Sequence, residues 1–265
     1  MNFAIVKTNL LDLWTEPKYN SERVNQLFFG EPVRVVGEQV ENYVRVEQSD
    51  GYGGFLDIRH LLEIGVDQYK AQTERSTGVI IVPQAKIVDS HGSAVPPYFL
   101  LYGTRVQIRD SMRGLTEIVV PVGDPVYVKT AAANEIPGQG SKIGGNTLVT
   151  EARKFLGVPY LWGGVSPSGF DCSGLTQTIC RRFGIRIPRD TKDQINIGEK
   201  IPRSKIKTGD LVFFNRHVGF AIGHDRLVHA SIGGSGVRVN SLKAGEPDYR
   251  EDLDRDFNQA RRIVG

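Results

Sequence analysis

The chain has 265 residues and only two cysteines, and one of them, Cys172, sits in a run built for chemistry. The run is G-V-P-Y-L-W-G-G-V-S-P-S-G-F-D-C-S-G, residues 157–174, rich in glycine and proline up to the cysteine and followed by a helical pattern. A thiol is a useful nucleophile as its thiolate, and the unpaired N–H groups and positive dipole end of a helix N-terminus favour that anion. Asp171 stands at the N-cap position. Ser173 and Gly174 are small, which leaves their N–H groups as candidate donors to an oxyanion. The chemistry implied is attack of Cys172 on a substrate carbonyl.

Such a nucleophile needs a base, and the base needs orienting. Of five histidines, His217, His224 and His229 fall in the C-terminal third. His217 opens H-V-G-F-A-I-G and His229 lies in L-V-H-A-S, twelve residues on. That spacing fits two neighbouring strands, with His224-Asp225 at the turn between them. His217 is then the candidate base and His229 its orienter. A zinc site on Cys172, His217 and His229 has suitable ligand types, but C-S-G offers no second ligand at metal spacing. No metal or cofactor is therefore expected. Cys180, eight residues on, is about 12 Å away along one helix, too far to bridge. It reads as a buried core thiol, and two free thiols suit a reducing compartment.

The elements that position these groups follow from pattern. Leu148, Val149, Ala152, Phe155 and Leu156 lie on one face of a helix that Gly157 and Pro159 end. A second helix runs from Cys172 to Phe183, with Leu175, Ile179 and Phe183 on its apolar face and Gly184 after it. A short helix is expected over 191–197. Strands are expected at 211–214, 218–222, 226–230 and 237–239, and a last element over 257–264. Helices first and an antiparallel sheet after is an α+β layout. Residues 136–146 have linker composition.

The N-terminal half reads as short strands at 3–6, 33–36, 43–46 and 54–58, the pattern of a small barrel. Leu27-Phe28-Phe29-Gly30 returns as Leu100-Leu101-Tyr102-Gly103, an offset of 73 that implies a second copy opening on the buried strand 78–82. The domains expected are 1–65, 66–138 and 139–265.

Composition excludes some functions. With 33 basic and 30 acidic residues mixed along the chain, no clustered basic face points to nucleic acid. No run approaches the roughly 18 apolar residues of a membrane span. The opening M-N-F-A-I-V-K-T-N-L lacks the pattern of a signal peptide, so a cytoplasmic location is expected. Oligomeric state is not legible.

The motifs P-Y-L-W-G-G (159–164), F-D-C-S-G-L (170–175), Pro188-Arg189-Asp190-Thr191, K-T-G-D-L-V-F-F (207–214), H-V-G-F-A-I-G (217–223) and L-V-H-A-S (227–231) occur in this order. In them the third domain resembles the NlpC-type, papain-like cell-wall peptidases. The resemblance implies Cys172 as nucleophile, His217 as base and His229 as the polar orienter. The first two domains resemble bacterial SH3-like domains, through G-E-P-V-R-V-V and D-G-Y-G-G-F-L in the first and more weakly in the second. Two SH3-like barrels before such a domain is the layout of γ-D-glutamyl-L-diamino acid endopeptidases, which cut murein peptides with a free N-terminal L-Ala before diaminopimelate or lysine. It implies Tyr52, Glu16 and Asp171 as partners of the substrate amine, and Tyr160 and Ser173 as site lining. Each has a plainer reading: a barrel aromatic, a solvated loop charge, a helix cap, and packing against Trp162. The alternative for the whole chain is a wall-binding protein with weak or different amidase or acyltransferase activity.

Overall fold

The computed structural model describes residues 1–74, 77–120, 124–138 and 141–264. The chain divides into two compact units, Met1–Ile136 and Pro137–Gly265.

In the first unit, seven short strands form one antiparallel sheet: β1 (Phe3–Val6), β2 (Leu10–Trp14), β3 (Arg23–Phe28), β4 (Pro32–Val40), β5 (Tyr43–Glu47), β6 (Gly53–Asp57) and β7 (Leu61–Ile64). Their order is β3-β2-β6-β5-β4-β1-β7. After the helix α1 (Val66–Glu74) come β8 (Gly78–Ile80), β9 (Gln84–Val88), β10 (Ala94–Leu101), β11 (Arg105–Met112), β12 (Leu115–Val119), β13 (Val126–Lys129) and β14 (Ala133–Glu135). Their order is β10-β9-β13-β12-β11-β8-β14. Each strand of the second sheet thus occupies the place of the strand seven earlier. The 27–30 and 100–103 repeat marks this equivalence: both segments end on a glycine in the left-handed region, Gly30 at φ 77° and Gly103 at φ 89°. Each sheet has its own core, built around Leu13, Leu27 and Leu56 in one and Ile80, Leu100 and Ile118 in the other. Of the buried strand expected over 78–82, β8 covers 78–80 and is buried throughout, while Ile81 and Val82 lie beyond it and are half-buried.

The boundary falls two residues before the expected 138, inside the glycine-rich segment; of that segment, residues 139 and 140 lie outside the described ones. The helix α2 (Gly145–Arg153) buries Leu148, Val149 and Ala152. It stops three residues earlier than its apolar pattern suggests. Phe155 and Leu156 bond three residues back, which tightens the end, and Leu156 is left exposed. A two-stranded ribbon, β15 (Val165–Ser166) and β16 (Gly169–Phe170), leads into α3 (Cys172–Arg182).

Asp171 caps α3, accepting from Gly174 N. Its other end is a Schellman turn: Gly184, at φ 73°, bonds Arg181 and Ile185 bonds Cys180. Leu175, Ile179 and Cys180 on the buried face are fully covered. The short α4 (Thr191–Gln194) follows. Strands β17 (Glu199–Ile201), β18 (Leu211–Phe214), β19 (His217–Ile222), β20 (Arg226–Ser231), β21 (Gly236–Ser241) and β22 (Gln259–Arg262) form a six-stranded antiparallel sheet, with α5 (Glu251–Arg255) before the last. The order is β17-β22-β18-β19-β20-β21. Helix α3 packs on β19 and β20. No described helix is long and apolar enough to cross a membrane.

Candidate active site

Packing α3 on β19 and β20 sets the first residue of the helix beside the histidine-bearing strands. Cys172 is buried, 7% exposed. The backbone N–H of Val218, next to His217, and that of Ser173 both point to its sulfur, and Thr191 Oγ1 lies 3.7 Å from it. Burial and then the neighbouring Asp171 carboxylate push the thiol up; Thr191 and the two N–H groups oppose them without prevailing. Burial thus works against the thiolate that the helix N-terminus favours. Desolvation of the anion outweighs the dipole at this depth.

His217 and His229 meet as the twelve-residue spacing requires. Nε2 of His217 is 2.6 Å from Nδ1 of His229, with the rings nearly perpendicular at 77°. His229 is 1% exposed. Nε2 of His229 is 3.0 Å from Asn240 Oδ1. Burial pushes His217 down to about 3, helped by the His229 ring and by Arg250. It pushes His229 down to about 4, against the Asn240 hydrogen bond. Both rings are neutral near pH 7.

Gly219 makes this geometry possible. It lies next to the Phe220–Val228 pair of β19 and β20, and two residues after His217 on the same face. A Cβ there would be 2.9 Å from both His229 Cβ and the Val228 carbonyl oxygen.

Asp171 and Ser173 are also tied into the interior of the domain. Asp171 accepts from Gly174 N (2.6 Å), Gly163 N (2.9 Å), Ser173 Oγ (3.3 Å) and both Nη atoms of Arg189. Five donors fill the lone-pair positions of one carboxylate. Ser173 Oγ is itself 2.9 Å from Arg189 Nη1. Asp171 and Ser173 thus belong to a buried network that holds the start of α3. Gly174 is small for the same internal reason. Its Cβ would lie 2.1 Å from the Gly164 carbonyl oxygen, and its N–H is committed to the cap rather than open to an oxyanion. Tyr160 is half-buried, and burial followed by the charges of Cys172 and Asp171 pushes its hydroxyl up, so it stays a neutral phenol beside the nucleophile. Trp162 is exposed.

Tyr52 and Glu16 belong to the first unit. Tyr52 packs on the first core and its hydroxyl donates to the Val24 carbonyl at 3.4 Å. Glu16 is exposed and pairs with Lys18 at 2.7 Å. Cys180 is free and fully buried, and His224 bonds Asp225 in an exposed turn, as read from sequence.

Three participants escaped sequence reasoning. Arg189 was visible only as part of a motif, not as a partner of Asp171. Gln194, fully buried, binds the Ser173 and Pro188 carbonyls and Thr176. Asn240 was hidden because its link to His229 depends on the register of β20 and β21. Its one signal is a polar residue in the alternation V-R-V-N-S.

Residues 157–252 match the profile of the NlpC/P60 family, and residues 13–61 match that of the bacterial dipeptidyl-peptidase Sh3 domain. Dipeptidyl-peptidase 6 of Lysinibacillus sphaericus is 29% identical across 94% of this chain and 95% of its own. The gamma-D-glutamyl-L-lysine dipeptidyl-peptidase of Bacillus subtilis is 28% identical across 95% of this chain and 89% of its own. The crystal structure of an NlpC/P60 family protein from Bacillus cereus covers the whole of both chains with a TM-score of 0.84 at 22% identity, a likeness of fold.

Proposed function

The chain carries an NlpC/P60 domain and a bacterial dipeptidyl-peptidase SH3 domain, and from that premise we propose that it is a cysteine peptidase that cleaves the bond between γ-D-glutamate and an L-diamino acid in murein peptides with a free N-terminal L-Ala. The observation that carries this is the thiol of Cys172 at the start of α3 beside the hydrogen-bonded pair His217–His229. Near full-length similarity to a gamma-D-glutamyl-L-lysine dipeptidyl-peptidase supports the choice of bond.

In this reading Cys172 Sγ attacks the γ-glutamyl carbonyl as its proton passes to His217 Nδ1, the ring nitrogen not bonded to His229. His217 then gives that proton to the leaving amine of the diamino acid, leaving an acyl group on sulfur. Water, deprotonated by His217, hydrolyses the thioester and releases L-Ala-γ-D-Glu. The same reading takes the two seven-stranded sheets as two SH3-like barrels and the second unit as a papain-like α+β domain. The two free thiols suit the cytoplasm as the setting.

The test is incubation with L-Ala-γ-D-Glu-L-Lys and L-Ala-γ-D-Glu-meso-diaminopimelate, with chromatography for the dipeptide. Wild type releases L-Ala-γ-D-Glu and Cys172→Ala does not. Equal product from both proteins overturns the proposal.

A further inference from the structure

We propose that Asn240 is a positioning residue for the reaction: anchored on the Asp248 backbone carbonyl, it fixes the tautomers of His229 and His217 and so leaves the lone pair of His217 on Nδ1. This rests on the reading of His217 as base, and it extends the catalytic machinery to a fourth side chain.

A neutral imidazole carries one N–H and one lone pair, and its neighbours decide which nitrogen has which. Here the decision can be followed from one end. Asn240 Nδ2 is 2.9 Å from the Asp248 carbonyl oxygen. A carbonyl only accepts, so the amide is oriented with Nδ2 toward Asp248 and Oδ1 toward His229. Oδ1 also only accepts, and His229 Nε2 is 3.0 Å away. Nε2 of His229 therefore carries the hydrogen and Nδ1 the lone pair. His217 Nε2, 2.6 Å from that lone pair, must donate. One nitrogen remains with a lone pair, His217 Nδ1, and it is the one a base needs.

The anchor is itself held. The Asp248 carbonyl also accepts from Ser241 N at 3.0 Å. Arg226, at the start of β20, bonds Glu246 at 2.6 Å and pairs with Asp248, stapling the loop that carries the carbonyl. Asn240 and His229 are both buried, at 3% and 1% exposure. No bulk water is at hand to stand in for a lost partner, and an unpaired buried polar atom is costly. An amide also differs from a carboxylate at this position. It orients the ring without a negative charge that would favour the imidazolium, in keeping with a pair that stays neutral.

The test uses the full-length protein with 15N-labelled histidine and two-bond 1H–15N correlation spectra at pH 7.5, without substrate. Wild type is expected to show the Nε2–H tautomer at both His217 and His229. In Asn240→Leu both rings lose that single tautomer, and kcat falls on the order of 100-fold with KM nearly unchanged, less than the roughly 10⁴-fold of a triad whose own third member leaves the wrong tautomer. Asn240→Asp keeps an acceptor for His229 Nε2–H but loses the donor to the Asp248 carbonyl and adds a charge that favours the imidazolium, so it keeps the hydrogen on His229 Nε2 and restores only part of kcat. A merely structural Asn240 would lower the unfolding midpoint and leave the tautomers as they are. An Nδ1–H signal at His229 in wild type, or unchanged tautomers in Asn240→Leu, overturns the proposal. Should Asn240→Leu not fold, the wild-type and Asn240→Asp spectra decide alone. The spectra need no substrate, so a protein with the expected tautomers and no peptide cleavage would sink the proposed function and leave the tautomer assignment standing.

Discussion

Arg189 grips Asp171, the residue before Cys172, with both Nη atoms, at 3.1 and 2.6 Å. The Arg189 side chain is 1% exposed and that of Asp171 10%. The pair therefore acts as a buried fork that aims the first turn of α3, where Cys172 sits.

Breaking this pair by one partner leaves the other charge buried and uncompensated. Asp171→Ala should cost about 3–5 kcal/mol, because Arg189 then keeps its charge with no carboxylate. The same change also removes the cap of α3, worth about 1 kcal/mol. Urea unfolding of Asp171→Ala, Arg189→Met and the double variant measures this. We expect the double variant to be less destabilised than the sum of the two. Strict additivity would mean that the two side chains are not coupled.

Gly219 should be more important to catalysis than its size suggests. A methyl there meets His229 Cβ and the Val228 carbonyl oxygen, both at 2.9 Å. Backbone cannot yield cheaply, so His229 must move off His217. Gly219→Ala should lose about 1–3 kcal/mol from overpacking. It should also lose at least about tenfold in kcat, since small misplacements of catalytic groups are expensive. A variant with wild-type kcat would show that the contact between the two rings tolerates displacement.

The histidine pair also sets an acid limit on stability. The ordinary histidine value is 6.5, and the folded values are about 3 for His217 and about 4 for His229. Above 6.5 both rings are neutral, folded or unfolded, and the titration contributes nothing. Below it the unfolded chain binds protons that the folded chain refuses. Stability then falls as pH drops from about 6.5 toward 4, by up to about 1.4 kcal/mol per pH unit for each ring. It levels off below about 3. Comparing wild type with His217→Gln/His229→Gln by urea unfolding at pH 7 and pH 5 isolates this effect, since carboxylate effects are common to both. Parallel losses would contradict the neutral pair.

Chemistry on consecutive residues was easier to read than chemistry assembled across the sheet. Asp171-Cys172-Ser173-Gly174 announced a capped helix start, and the His217–His229 spacing announced neighbouring strands, because both are local patterns. The 73-residue offset between Leu27 and Leu100 disclosed a repeated strand order for the same reason. What pattern could not give was how each polar group is satisfied. Asp171 is paired with Arg189, eighteen residues away, which no local pattern foretold. Gly174 looked like room for a substrate until the Gly164 carbonyl was found against it. Asn240 depended on register, which a single sequence does not print. Depth was hidden too: the dipole of α3 is visible in sequence, but the burial of Cys172 that opposes it is not.

That last point gives a prediction about Cys172 itself. Burial and Asp171 hold its thiol above the ordinary value of 9.0, so the unliganded enzyme should carry little thiolate at neutral pH. Iodoacetamide inactivation should therefore keep accelerating through pH 9, without the plateau near neutrality of a preformed thiolate–imidazolium pair. Cys180, fully buried and pushed up by burial alone, should not react, so Cys172→Ala serves as the blank. Thr191 adds a sign that can be tested separately. Its hydroxyl, 3.7 Å from Sγ, favours the anion, so Thr191→Val should move the alkylation profile to still higher pH. Should inactivation level off below pH 7 in wild type, the thiolate is already present at rest. The helix N-terminus, rather than burial, would then govern the nucleophile.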